Sequence, residues 1–159
     1  MNPENLVEIL SLRKDALTAI PTLGEKESAV AYVLRHGAYA VVLDEEHKVA
    51  VIRCGEVYFL PGGGCDPDEN LKATLAREIM EECGVEIEIG EYLGEAIDYL
   101  YSTSENTHFK KHGHFYLGSF RSPLASSHLI WLSPSDFAPL FRQGGHAWAV
   151  SVALTKVSK

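Results

Sequence analysis

The chain opens with apolar residues at close to helical spacing: Leu6, Ile9, Leu10, Leu17 and Ile20. They follow an Asn2-Pro3 pair suited to a helix cap and first turn. The pattern predicts a helix over residues 3–19 that ends near Pro21 and Gly24, and a second short helix over 26–33. The period then shortens to two. GAYAVVLD (37–44) and KVAVIR (48–53) are β-branched runs joined by EEH as a hairpin, and VYFLP (57–61) is a third strand stopped by proline and glycine. Alternation returns in VEIEIGEYL (85–93), HGHFYLGSF (112–120) and SHLIWL (127–132). SPSDFAPLF then starts with Ser133 or Ser135 as a cap, and GHAWAVSVALTKV (145–157) is the closing helix. Helices on both sides of one mixed sheet make an α/β sandwich. Several connections are too short for crossovers, which argues against a doubly wound parallel fold.

Between these strands lies a helix of a different kind. Asn70 is a natural cap and Gly84 a natural stop for residues 71–83. Leu71, Leu75, Ala76, Ile79, Met80 and Cys83 cover about half its circumference. Glu78, Glu81 and Glu82 converge at one edge of that apolar face. Like charges at this spacing cost roughly 0.2–0.5 kcal/mol per pair even when exposed. Partial burial raises the carboxylate pKa values and the cost with them. A hard divalent cation reverses that balance, and carboxylate-dense oxygen sites suit Mg²⁺ or Mn²⁺. Taken alone, such a cluster is usually a solvated acidic face; here the flanking residues decide otherwise.

Those residues are Gly63, then Glu69, Arg77-Glu78-Ile79, Glu81-Glu82 and Gly84-Val85. At every defined position the stretch resembles the Nudix box, G-x5-E-x7-R-E-U-x-E-E-x-G-U with U a bulky aliphatic. Specified positions at fixed spacing make chance a poor explanation. RHGAYAVVLD, YFLPGGG, HGHFYLGSF, HLIWL and HAWAV also look like elements of bacterial Nudix hydrolases, so the resemblance covers roughly residues 35–150. It implies a Nudix-type α/β/α sandwich with a mixed central sheet over residues 31–159; the N-terminal helical extension expected over residues 1–30 lies outside the resemblance.

The resemblance also implies a metal-dependent hydrolase that cleaves a pyrophosphate bond in a nucleoside diphosphate linked to another group, nucleoside triphosphates included. Two alternatives are a dinucleoside polyphosphate hydrolase and a Nudix-fold module that holds a nucleotide without turning it over. The implied cofactor is Mg²⁺, with Mn²⁺ able to substitute. The implied metal ligands are Glu78 and Glu82, Glu81 directly or through water, and the Gly62 carbonyl. Glu69 and Arg77 are the implied structural pair of the catalytic set, with a phosphate contact by Arg77 as the other option. Gly63, Gly64, Lys111 and Tyr101 are candidate substrate contacts; Tyr101 lies near a tyrosine that marks dinucleoside polyphosphate hydrolases. The sequence departs from many relatives in the loop SPLASSHL, where Ser126 and Ser127 stand in place of an acid that serves as ligand or general base. Glu81, Glu82 or a carboxylate between Glu91 and Glu105 is then left to accept the proton. His108, His112 and His114 are read as a polar strand edge, with a second metal site as the competing reading.

Composition narrows the partners. The 159 residues make one ordinary domain, and 46% hydrophobic with 23% charged residues is a globular balance. No apolar run is long enough to span a bilayer as a helix. The acidic start MNPENLVEIL is unlike a secretory signal, so the cytoplasm is the expected location. Cys54, Cys65 and Cys83 lack metal-type spacing and are read as reduced thiols. A net charge of −8 argues against broad contact with nucleic acid, while a small polyphosphate remains accessible through metal ions. The expected partner is a small nucleotide, with no membrane and with homodimer formation left open.

Overall fold

The computed structural model describes residues 20–122, 129–133, 135–136 and 141–157. The expected N-terminal helix over 3–19, Ser126 and Ser127 lie outside them. The strands are β1 (Thr22–Leu23), β2 (Val33–Val42), β3 (Val49–Cys54), β4 (Val57–Phe59), β5 (Gly62–Gly64), β6 (Ile87–Ser102), β7 (Thr107–Phe120) and β8 (Leu129–Leu132). The helices among the described residues are α1 (Leu71–Cys83) and α2 (Gly144–Val157).

The strands form two sheets rather than the single one expected. A mixed five-stranded sheet runs β1-β6-β7-β2-β5, and a three-stranded antiparallel sheet runs β4-β3-β8. In the larger sheet β1 is parallel to β6 and β2 to β7, while β6–β7 and β2–β5 are antiparallel. The EEH turn is therefore a passage between sheets. Its flanks meet in one bridge, Leu43–Val49, and the Asp44 carboxylate accepts from the Glu46 and Lys48 N–H groups.

Strand alternation splits the core in two. Ala38, Ala40 and Val42 of β2 face Leu75, Ile79 and Cys83 of α1. Val41 faces the other way, with Phe115, against Ala149, Val150 and Ala153 of α2. The sheet is thus covered by a helix on each face, as the α/β/α reading expects. The buried stripe of α1 is narrower than its sequence suggests: Thr74 is buried, while Ala76 and Met80 face solvent. One flat sheet face touches only the residues three and four apart along a single stripe.

Two further expectations are corrected. Residues 26–33 form no helix. Pro21 and Gly24 lead into a short parallel pairing with β6, and Tyr32 packs its ring edge-on against Tyr99. Strands β6 and β7 also run far past the expected 85–93 and 112–120, and they turn over residues 103–106. The buried position that breaks the apolar alternation of β6 is Asp98, whose carboxylate accepts from the Gly145 N–H at 3.1 Å.

Bulges near Tyr92 and Gly94 let the long β6 bend beside α2. Gly94 has φ +128°, and an added Cβ would sit 2.9 Å from the Trp148 ring. Gly94→Ala is expected to destabilise the protein by about 1–3 kcal/mol. Urea unfolding reads this as a lower midpoint at unchanged m value; a wild-type midpoint would show that the bulge accepts a side chain.

Candidate functional site

The acidic helix is capped as its sequence requires. Asn70 Oδ1 accepts from the Ala73 N–H at 2.8 Å, and Gly84, at φ +67°, donates to the Met80 carbonyl. Just ahead of it, Glu69 is the anchor of the loop. Arg77 donates to its carboxylate with two prongs, Nε to Oε2 at 2.8 Å and Nη2 to Oε1 at 2.9 Å. The Thr74 hydroxyl and the Asp66 N–H add further bonds to Oε1. These donors, Arg77 first and Thr74 next, hold the Glu69 carboxyl down at about 2. Arg77 Nη2 also reaches the Gly64 carbonyl at 3.1 Å, which ties helix, loop and glycine strand together. Its guanidinium is committed to protein, which supports the structural role for the Glu69–Arg77 pair.

The three clustered glutamates occupy different environments. Glu81 is the outermost, with its side chain 58% exposed and 3.3 Å from Arg77 Nη1. Glu78 takes a bond from the same nitrogen at 3.0 Å and lies directly against Gly63. A side chain at Gly63 would overlap the Glu78 carboxylate. Glu82 is more buried and accepts from the Gly62 N–H at 2.9 Å. Gly62, at φ +139°, passes so close to β2 that a Cβ there would overlap the Ala38 carbonyl. Burial pushes the Glu82 carboxyl up to about 7; the Gly62 bond opposes the rise, and Glu78 and Glu81 add to it. Burial also raises Glu78, against the pull of Arg77. Two half-buried carboxylates turned toward one backbone strand form a donor set that fits a hard divalent cation.

On the far side of the glycine strand lies a cleft of opposite sign. Arg35, Gly37, Tyr39, Gly64, Lys111 and Gln143 are among the residues that line its near part. Lys111 and Gln143 continue into a second hollow with Phe59, Leu100, Glu105 and Arg142. Gly64, Gly37 and Gly113 lie side by side across three strands; the Tyr39 ring covers Gly37 and the Phe115 ring covers Gly113, while Gly64 is open. Arg35 and Lys111 both stand over the Phe109 ring, at 5.2 and 4.4 Å from its centroid. Burial, then the neighbouring Arg35, lowers the Lys111 ammonium pKa. Among the described residues neither cation forms an ion pair. Tyr39 connects the two halves: burial raises its phenol pKa first, and the Glu82 and Glu78 charges raise it further.

The structure therefore brings Gly62, Gly63, Gly64, Glu69, Arg77, Glu78, Glu81 and Glu82 together and places Lys111 in the adjoining cleft. Tyr101 lies elsewhere. Strand alternation turns its ring to the face opposite Leu100 and Lys111, where it packs on His108 and bonds Asn106.

A sequence model of the NUDIX domain matches residues 33–146. The chain belongs to the Nudix hydrolase family. A protein of Bacillus subtilis (strain 168) named "Putative 8-oxo-dGTP diphosphatase" is 28% identical over 113 residues, 66% of this chain and 70% of that protein. A MutT protein from Methanosarcina mazei Go1 superposes with TM-score 0.63 at 20% identity, covering 82% of this chain and 99% of the other. The E. coli ORF135 protein gives TM-score 0.62 at 19% identity, covering 84% and 96%. These two structures carry the Nudix fold.

Sequence reading missed several residues of the site. Arg35 opens RHGAYAVVLD, a stretch legible as a strand, and Gln143 and Arg142 are single polar residues without a motif around them. His146 is fully buried; its Nδ1 accepts from the Leu60 N–H at 3.0 Å, and burial lowers its pKa to about 3. It is thus neutral, and it fixes the chain two residues before Gly62. His146 opens HAWAV, a stretch legible as family-like, but its bond joins it to Leu60, far away in the chain.

The raised Glu82 pKa has a direct consequence for stability. Between the unfolded carboxylate value, near 4.3, and about 7 the unfolded chain releases this proton while the folded chain keeps it. Stability is therefore lost as pH rises through that window. With divalent cations chelated, Glu82→Gln is expected to raise the melting temperature at pH 8 and to leave it nearly unchanged at pH 4. An equal shift at both pH values would show that Glu82 is not held protonated by its surroundings.

Proposed function

We propose that this protein hydrolyses a pyrophosphate bond in a nucleoside triphosphate or another nucleoside diphosphate derivative, with Mg²⁺ as cofactor and Mn²⁺ able to replace it. One observation carries the reading. A pair of half-buried carboxylates lies against Gly62 and Gly63, and two cations that form no ion pair among the described residues, Arg35 and Lys111, line a cleft that reaches Gly64. The first pair is relieved by a cation and the second by an anion, and a metal-bound polyphosphate supplies both at once. The name of the Bacillus subtilis relative makes 8-oxo-dGTP the first substrate to test.

Glu78 and Glu82 would hold the ion, with Glu81 at its outer side and the Gly62 carbonyl as a backbone ligand. The bound ion would neutralise charge on the phosphates and favour the attacking water. The chain's own residues do the remaining work. Lys111 and Arg35 bind the phosphate oxygens, and the cleft they line beside Gly64 and Tyr39 leaves room for the nucleotide. Leu100 and Phe59 offer apolar surface to a base. Glu69 and Arg77 keep the glycine strand at a fixed distance from the helix. Hydrolysis forms one P–O bond from water, breaks the P–O bond to the bridging oxygen, and releases a proton.

Turnover of 8-oxo-dGTP, canonical nucleoside triphosphates, dinucleoside polyphosphates and ADP-ribose is expected for at least one substrate with Mg²⁺ or Mn²⁺, and for none in excess chelator. Glu82→Gln is expected to lower kcat by ~10²-fold or more. Full activity in chelator, or in Glu82→Gln, would overturn the metal assignment. Lys111→Gln is expected to raise KM by roughly tenfold, the worth of a bond to a charged group, with a smaller change in kcat. An unchanged KM would move the phosphate site elsewhere.

A further inference from the structure

The alternation that turns Arg35 and Lys111 into the cleft turns their neighbours His36 and His112 to the opposite face of the sheet. His36 of β2 is the register partner of His112 of β7, and His114 stands two residues along on the same face. Glu95 of β6 is the register partner of His114. The three imidazoles lie nearly parallel: His112 and His114 are 4.6 Å apart at 15°, and His36 and His112 are 4.9 Å apart at 32°. One ring nitrogen from each lies within 4.8 Å of the others. The Glu95 carboxylate approaches His112 Nε2 at 3.5 Å and His114 Nδ1 at 3.8 Å. His112 Nε2 is a buried atom that makes no hydrogen bond.

We propose that His36, His112, His114 and Glu95 form a site for a single zinc ion, separate from the carboxylates of α1. Three imidazoles and one carboxylate are a borderline ligand set of the kind zinc takes in four-coordinate sites, and one that Mg²⁺ does not favour. Two donors on a tetrahedral zinc lie about 3.4 Å apart, given Zn–N bonds near 2.1 Å. The nitrogens need to close by up to about 1.4 Å, a shift that rotation of the rings about their side-chain torsions would have to supply. Burial holds His112 and His114 below the ordinary imidazole range, so both offer lone pairs at neutral pH. His36 is exposed and leaves an entry path. The Tyr92 hydroxyl, 3.0 Å from His114 Nδ1 and 3.4 Å from Glu95 Oε2, is placed to orient these two ligands from behind. The bound ion would pin together β2, β6 and β7, the three central strands of the larger sheet.

The test uses the full chain without an affinity tag, stripped of metal, and titrated with zinc against a chromophoric chelator in excess Mg²⁺. One equivalent of zinc is expected, together with a higher melting temperature. His112→Gln and His114→Gln are each expected to weaken binding at least tenfold, and Glu82→Gln to leave it unchanged. His36→Gln alters an exposed side chain and serves as the variant whose fold is secure; it too is expected to bind at least tenfold more weakly. Absence of binding by the wild-type chain would overturn the proposal. So would equal binding by His36→Gln, or a loss of zinc in Glu82→Gln with retention in the histidine variants.

Discussion

The position of one three-glycine edge strand is the constraint on which the site depends. Strand β5 has no side chains of its own to pack, so its place is set by groups that reach it from both layers. From the α1 side Glu82 accepts the Gly62 N–H and Arg77 donates to the Gly64 carbonyl. From the α2 side His146 accepts the N–H of Leu60, just upstream. The pairing with β2 then fixes register, and the missing Cβ atoms let β5 lie flush against Glu78 and against the β2 backbone. A side chain at Gly62 or Gly63 would push apart the surfaces that this strand joins. The glycines serve as spacing, set by what must approach from outside.

That arrangement explains why the protein tolerates charge where folding alone disfavours it. Like carboxylates on one helix edge, two of them half-buried, oppose the folded state, and Arg77 compensates only Glu78 and Glu81 directly. Arg35 and Lys111 share one aromatic ring and form no ion pair among the described residues; Asp98 is the register partner of Lys111, yet burial and Arg35 still lower the Lys111 pKa, which opposes folding. Neither pair improves the packing of the core. Strain of this kind at a concave surface is the ordinary mark of a ligand site. Here the carboxylates lie against Gly62 and Gly63, and the cations line a cleft that reaches Gly64.

The helix was the legible part of the site. Its cap, its stop and its carboxylate spacing all follow from local rules that act within a few residues, so sequence order and spatial order coincide there. The cationic cleft was not legible, because Arg35, Lys111 and Gln143 come together only through the parallel pairing of β2 with β7 and the approach of the segment ahead of α2. Lys111 drew notice through its neighbours, whereas Arg35 opens a stretch legible only as a strand and Gln143 carries no local signal. Tyr101 shows the converse: a resemblance to a tyrosine of dinucleoside polyphosphate hydrolases marked it as a substrate contact, and a one-residue offset in the strand turns it to the face opposite Leu100 and Lys111. The two-sheet division was hidden for a related reason. A short turn at Asp44 reads as a hairpin whether the strands it joins stay paired or part into different sheets.

The two charged halves also influence each other. The Glu78 and Glu82 charges are felt at Tyr39, which lines the cleft, so a polyphosphate arriving alone meets repulsion from the same carboxylates that would hold the metal. A cation arriving first removes that repulsion, and a bound polyphosphate in turn adds oxygen ligands and negative charge next to the cation. Each ligand therefore improves the site for the other, and thermodynamic linkage makes the improvement equal in both directions. A free nucleotide and a free divalent ion would each bind weakly, while their complex would bind as one unit. On the proposed function, the buried carboxylates would act as a gate of charge: they would keep the cleft unfavourable to bare anions and open it to a polyphosphate that comes with its counterion.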